Sequence, residues 1–576
     1  MLVVVFVSIH ERETDCMNTL RVTNSTWFRR EFFVVLLCSI ILTLPWIDRP
    51  FHTRGEPREA LVAQAMLDTG DWISPQAYDR AVPSKPPFLH WLITICSIPG
   101  GEVTEATCRL PSAIAFILFS ALFFQFLVKR TSSFEACATS LILLSCFEWF
   151  RGAVTCRVDT LLAVSMAGCL LALYRWWEKR YRGVPLVAIG LASCATLTKG
   201  PVGFVLPLGI LVLFSLLQEE CSARNLRRLF GRCVLIGLPT IVLSSGWYLL
   251  GYQQRGDVFV EKVLYENFAR FTSTMADKPH QHSMWYLFGM LLLGILPWTV
   301  PLLSQCVRLK KPYLSSVRDL RKRLNRQDSF FQFSLISALC IVLFFCIPSS
   351  KRSVYLLPAY PFIAFLVCKV LLEADARVTS VMHWTRIVIA IVVTCASAIA
   401  LGSEWYTISG FSVKLRDLYE TLSLLKVSVC VGAGLLLIRM FRSEAVFQTA
   451  SIRLALSMIG AVVLASFFVY DTAARVMSPK SWYRDRAITA LEEVNPSRSW
   501  FSYGIEMYGA SFYLHRPFQR LEGKSAIVGD VVVTQRRHIE NLQKEHTYVF
   551  REVLSYRSGV EKPKKERVVL EITALR

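Results

Sequence analysis

No cysteine follows Cys430 in this 576-residue chain, so the C-terminal region folds without disulfide support. The seventeen cysteines form no framework. Cys38, Cys137, Cys169, Cys340 and Cys395 sit inside apolar runs, where a thiol acts as a small hydrophobe, and no spacing matches a zinc site. Acidic residues are few, 43 against 64 Lys and Arg, and charge of either sign is nearly missing from the centres of the long apolar runs. Transporters tend to carry ionisable residues near mid-membrane and paired repeats. Neither feature is visible here, and no fixed-period repeat is present.

What the chain has in abundance is apolar sequence: 53% hydrophobic and 12% aromatic residues with a mean hydropathy of +0.42. That composition describes a polytopic membrane protein. Apolar runs near 32–46, 110–128, 134–150, 160–177, 184–198, 202–218, 233–251, 284–306, 330–348, 354–373, 387–402, 425–440 and 454–471 predict about 13 transmembrane helices, with the N-terminus inside and the C-terminus outside. The register agrees with charge sorting. Lys129-Arg130, Arg175 to Arg182, Arg224 to Arg232, Arg308 to Arg326, and Arg439 with Arg442 all fall on the cytoplasmic side. Such retention explains much of the net charge of +21, and no nucleic acid is expected as a partner.

The expected domains are a cytoplasmic segment 1–30, a transmembrane domain 31–475 and an extracytoplasmic α/β domain 476–576. The first 30 residues fit neither a signal peptide nor a span, and Met17 is an alternative start. In the last domain Trp482 to Leu491 reads as a helix, and Ala526 to Thr534 and Glu566 to Ile572 read as strands.

The same register leaves Arg58, Lys85, Arg109, Arg151, Arg157, Lys199, Arg255, Lys262, Arg270, Lys351 and Arg352 outside, where positive charge is disfavoured and calls for a reason. Lipid headgroups would supply one, and a bound phosphate another. The first outer loop carries much of the charge. Pro57 suits a first helical position and Gly70 the residue past the end, which predicts a helix lying on or near the membrane surface, with Leu61, Val62, Ala65 and Met66 on one side. Glu56 and Glu59 at its entrance suit the positive end of a helix dipole as well as they suit chemistry.

Seven motifs in consistent order across residues 28 to 370 resemble the type-C glycosyltransferases. They are this charged helix, Lys85-Pro-Pro, Arg157-Val-Asp159, Lys199-Gly-Pro, Asn267-Phe-Ala-Arg270-Phe, Leu296-Pro-Trp298 and Tyr355-Leu-Leu-Pro358. The nearest likeness is to the branch holding the lipid A aminoarabinose transferases and bacterial relatives of protein O-mannosyltransferases. The resemblance implies a polyprenyl-phosphate-linked sugar donor, a lipid, protein or glycan acceptor, a plasma-membrane location, and an outward-facing site with an acceptor-activating acid in the first loop. The usual pattern there is Asp-Glu-x-Arg, whereas this chain reads Gly55-Glu56-Pro57-Arg58.

With the first Asp missing, Glu56 is the expected base and Asp159 its partner, with Asp48 and Glu59 as fallbacks. A salt bridge is the plainer role for Asp159, as membrane-edge snorkelling is for Lys199. Arg58, Lys85, Arg270, Lys351, Arg352 and Tyr355 are the expected donor-phosphate ligands. No cofactor is predicted, and no motif supports a divalent metal. A flippase of an anionic lipid-linked sugar, or a non-catalytic member of the same fold, are the alternatives.

Overall fold

The computed structural model describes residues 25–51, 53, 55–77, 85–219, 222–265, 282–308, 328–348, 350–372, 498–515, 518–521, 526–556 and 566–575. Helix α1 (Ser25–Thr43) ends in a tight turn, Leu44–Trp46, that buries Trp46. The first loop then folds into two short helices, α2 (Glu56–Thr69) and α3 (Phe88–Ser97). Pro57 occupies the first turn of α2, where its missing N–H costs nothing, and Gly70 closes the helix at φ 69°.

The predicted helix is present, but its buried face differs from the expected one. Of the four expected residues only Met66 is buried, while Leu61, Val62 and Ala65 are half-exposed. The buried side is Glu56, Glu59, Ala60, Ala63 and Met66. Helix α3 packs there, with the Thr94 hydroxyl 3.3 Å from the Ala63 carbonyl; Arg109 of the next helix meets Glu56, and Arg58 of α2 itself, Lys85 and the His90 ring of α3 meet Glu59.

The membrane part continues with α4 (Glu105–Leu127), started by a reciprocal Thr104–Thr107 cap. It is followed by α5 (Ser133–Ser145), α6 (Phe147–Ala153), α7 (Val158–Glu178), α8 (Leu186–Lys199) and α9 (Val202–Gln218). Then come α10 (Ala223–Arg255), α11 (Asp257–Leu264), α12 (Trp285–Gly294), α13 (Thr299–Arg308), α14 (Ser329–Cys346) and, after the turn Ser353–Ala359, α15 (Tyr360–Leu372). Among the described residues five helices are long and apolar enough to cross a membrane, or six if a bent pair counts as one span. The molecule is a multi-pass membrane protein. The expected 134–150 span is that bent pair: Cys146 is extended, and α5 and α6 meet at 72°. There the Phe147 N–H leaves the helix ladder and donates to the Leu296 carbonyl at 3.2 Å. Expected spans 387–402, 425–440 and 454–471, the 475/476 boundary, the Trp482 helix and most of the basic 308–326 loop lie outside the described residues.

Polarity divides the two ends of the bundle. α7 opens on Arg157 and Asp159 and closes on Arg175 and Lys179. Near its closing end Tyr174 packs against Phe214, Phe330 and Phe333, with ring centroids 5.0 to 6.1 Å apart.

The C-terminal region carries β1 (Trp500–Ser502), α16 (Tyr508–Tyr513), β2 (Gln519–Arg520), β3 (Val531–Gln535), α17 (Ile539–Glu545), β4 (Tyr548–Tyr556) and β5 (Arg567–Leu575). They form one sheet in the order β2-β1-β3-β5-β4. β1 runs parallel to β2 and β3, and β5 runs antiparallel to β3 and β4. The unbroken Val531-Val532-Val533 run is buried along its whole length, as expected of a central strand covered on both faces. This region docks on the first loop. The Phe512 ring lies 4.8 Å from Phe51, and the Tyr513 hydroxyl accepts the Phe51 N–H at 2.9 Å and donates to Glu105 at 3.0 Å.

Candidate active site

Glu56 sits at the entrance of α2 and points into the protein. Both it and Arg109 of α4 are fully buried, and they pair at 2.8 Å through Nε and Oε1. The same oxygen accepts the Cys156 N–H at 3.1 Å, and Oε2 accepts the Thr53 N–H and hydroxyl at 3.1 and 3.2 Å. Arg109 also donates to the carbonyls of Ile47, Arg49 and Pro50. This pair ties the entrance of α2 to three other segments: the end of the first span, α4, and the loop before α7. With no exposed surface and both oxygens bonded, Glu56 has no face to offer an acceptor, so the role expected of it does not fit its position.

One turn later, Glu59 gathers cations. Oε1 pairs with Arg58 at 2.6 Å and Lys85 at 2.9 Å, and Oε2 lies 2.8 Å from His90 Nε2 on α3. Burial pushes its carboxyl up, but Lys85, Arg58 and His90 outweigh this and hold it well below the usual carboxylate range. Lys85 moves the other way. Burial, then repulsion from Arg58, outweigh Glu59 and Asp159 and bring its ammonium down to about 8.

A second cluster forms at the head of α7. Asp159 is 5% exposed, and its Oδ1 pairs with Lys199 of α8 at 2.6 Å. Lys199 also lies 4.0 Å from the centre of the Tyr355 ring, a cation–π contact. Arg157 and Arg352 act on Asp159 electrostatically. Among the described residues no side chain bonds its Oδ2. Arg352 is pulled below the ordinary guanidinium value by burial and by its neighbour Arg157. The clusters communicate: Asp159 acts on Lys85, and Arg58 on Arg352. Gly55, where the family pattern has Asp, faces the same Arg157, whose guanidinium would lie 3.8 Å from a Cβ at that position.

Of the expected phosphate ligands, Arg58, Lys85, Arg352 and Tyr355 thus come together. Lys351 does not join them, because it is buried and donates to the Pro348 carbonyl at 2.6 Å. Arg270 lies outside the described residues. Asp48 is exposed in the turn after α1. Several other cations expected on the outside are structural: Arg151 pairs with Glu148, and Arg255 bridges Asp71 and Ser74. His90 carried no functional signal in the sequence beyond being polar beside an apolar run, and Arg109 stood out only as one of the cations expected outside; the partners that fix them are 31 and 53 residues away. Among the described residues no group of three or more His, Cys, Asp or Glu is arranged to hold a metal.

Residues 84–247 match the family model described as dolichyl-phosphate-mannose-protein mannosyltransferase. The chain is 29% identical over 348 residues to an undecaprenyl phosphate-α-4-amino-4-deoxy-L-arabinose arabinosyl transferase 2 of Proteus mirabilis, covering 58% of each. It is 25% identical to the corresponding enzyme of Shewanella sediminis, over 59% of each chain. The matches therefore span a little under three fifths of these relatives. The crystal structure of ArnT from Cupriavidus metallidurans bound to undecaprenyl phosphate superposes with a TM-score of 0.63 at 20% identity, over 95% of this chain and 98% of that one. In fold the chain resembles that transferase structure, and in sequence it is similar to the undecaprenyl phosphate-aminoarabinose transferases and, over residues 84–247, to the mannosyltransferase family model.

Proposed function

We propose that this protein transfers a sugar from a polyprenyl-phosphate donor to an envelope acceptor, a lipid A-like glycolipid, a protein or a glycan, on the extracytoplasmic face of the plasma membrane. The observation that carries the reading is the convergence, among the described residues, of Arg58, Lys85, Arg157, Lys199 and Arg352 around the carboxylates of Glu59 and Asp159. Such an excess of fixed positive charge in a partly dry site favours a phosphate, above all one that gains charge as its bond breaks. The C-terminal domain, docked on the same loop, shares that side.

The acceptor-activating carboxylate in this reading is Asp159 rather than Glu56. Glu59 has both oxygens engaged, Oε1 by Arg58 and Lys85 and Oε2 by the His90 ring, and holds Arg58 and Lys85 in position, whereas among the described residues no side chain bonds Asp159 Oδ2. The acceptor oxygen or nitrogen attacks the anomeric carbon and passes its proton to Asp159. The bond from that carbon to the lipid phosphate breaks, and its electron pair stays on the phosphate oxygen beside Lys85, Arg58 and Arg352. Arg157 links the two positions, acting electrostatically on Asp159 and placing its guanidinium 3.8 Å from where a Cβ at position 55 would lie.

Reconstituted full-length protein, offered polyprenyl-phosphate sugars and membrane glycolipid acceptors, tests the proposal. Sugar transfer that falls by about 10²-fold or more in Asp159→Asn, with polyprenyl-phosphate binding retained, is the expected outcome. Movement of the lipid-linked sugar between leaflets without transfer would replace this reading with a flippase.

A further inference from the structure

Cys108 and Cys156 stand apart from the cysteines embedded in the apolar runs. Cys108 precedes Arg109 on α4, and Cys156 precedes Arg157, which opens α7. Both are fully buried, and their Sγ atoms lie 2.8 Å apart although 48 residues separate them in sequence. Each is joined to the same carboxylate: Arg109, beside Cys108, pairs with Glu56 Oε1, and the Cys156 N–H donates to that oxygen.

We propose that Cys108 and Cys156 are a covalent modification site, joined as a disulfide in the mature protein and stapling α4 to the loop that presents Arg157 and Asp159. This rests on the extracytoplasmic placement of the site proposed above, because thiols in a cytoplasmic setting are kept reduced. The thiols are already in contact, so closure to about 2.05 Å asks for side-chain adjustment and no rearrangement of helices. The chemistry is exchange with a disulfide-bearing oxidant. One cysteine thiolate opens the oxidant's disulfide to a mixed disulfide, and the second displaces the oxidant's remaining sulfur. The two cysteines lose two electrons and two protons, and the oxidant leaves as a dithiol. Since both sulfurs are sealed from solvent, the bond forms before α4 closes on the loop and is then shielded from reductants. Its place in the site is positional: the staple and the Glu56–Arg109 pair together fix the backbone from which Arg157 and Asp159 project.

The test uses full-length protein from intact cells, with thiols trapped by acid and N-ethylmaleimide before solubilisation, digestion without reductant and mass spectrometry of the peptides. A peptide pair linked through Cys108 and Cys156 in most of the protein, separated by reductant, is the expected result. Wild-type protein in which both cysteines carry N-ethylmaleimide after unfolding overturns the proposal, and this readout needs no variant to fold. Labelling of Glu102→Cys, in the exposed turn before α4, with a membrane-impermeant maleimide on intact cells reports the side independently. Labelling at 102 with free thiols at 108 and 156 sinks the disulfide and leaves the site's placement standing. Labelling only after permeabilisation sinks the placement. A second readout is thermal: a reductant present throughout the melt, which reaches the bond once the fold opens, should lower the apparent unfolding temperature of the wild type and leave that of Cys108→Ala/Cys156→Ala unchanged.

Discussion

Replacing Glu56 by Gln separates a structural carboxylate from a catalytic one. The wild-type carboxylate faces the Arg109 guanidinium at 2.8 Å with both groups fully buried, an attraction of about 6 kcal/mol at an effective dielectric near 20. Desolvation of both ions offsets most of it. Removing one charge alone leaves Arg109 buried without its counter-ion, which costs about 3–5 kcal/mol. Gln can still accept from Arg109 and the Cys156 N–H through one atom, but its amide group would then meet the Thr53 N–H, donor against donor. Neutralising both ends with Glu56→Gln/Arg109→Gln should recover part of the loss and not all, because Arg109 also satisfies the carbonyls of Ile47, Arg49 and Pro50. Yield, unfolding temperature in detergent and transfer per folded molecule are the measurements. A marked fall in stability with less than about a tenfold fall in turnover of the folded fraction is expected. Wild-type stability combined with a fall of about 10²-fold or more would show that Glu56 is the base after all.

Lys85→Ala should weaken polyprenyl-phosphate binding strongly, and Lys85→Arg should keep part of it, since charge remains while geometry changes; equilibrium binding decides. With Lys85 near 8 in the free protein, below its ordinary 10.5, rising pH strips its charge early and donor affinity should fall between about pH 7 and 9. Between about pH 8 and 10.5 the folded state binds fewer protons than the unfolded, so this group adds stability as pH rises through that window, and Lys85→Arg should flatten both trends. Tyr513→Phe leaves the Phe51 N–H and Glu105 without a shared hydroxyl, a loss of about 1–3 kcal/mol that limited proteolysis should read as easier release of the C-terminal domain. For sidedness, Gln543→Cys, exposed on α17, should react with an impermeant maleimide in intact cells, and Ser316→Cys only after permeabilisation; the reverse pattern refutes the orientation.

Hydropathy and charge alternation determined that the chain spans a membrane several times, since a backbone in lipid has to satisfy its own hydrogen bonds and long apolar runs have no other stable home. Local chemistry also determined the limits of α2 from Pro57 and Gly70, the C-terminal half of the strand expected over Ala526 to Thr534, which begins only at Val531, the strand at Arg567, and the grouping of Arg58, Lys85, Arg157, Lys199 and Arg352 at one end. What the sequence left open was which carboxylate faces the site. Glu56 and Glu59 both lie in the first turn of one helix, and their fates are set by what packs against each: a buried arginine from α4 for one, Arg58, Lys85 and His90 for the other. Lys351 and Arg352 are neighbours with opposite outcomes for the same reason. Asp159 meets Lys199, and Cys108 meets Cys156, across 40 and 48 residues of chain. Periodicity along a segment carries no information about such pairings, so the tertiary structure alone decided them.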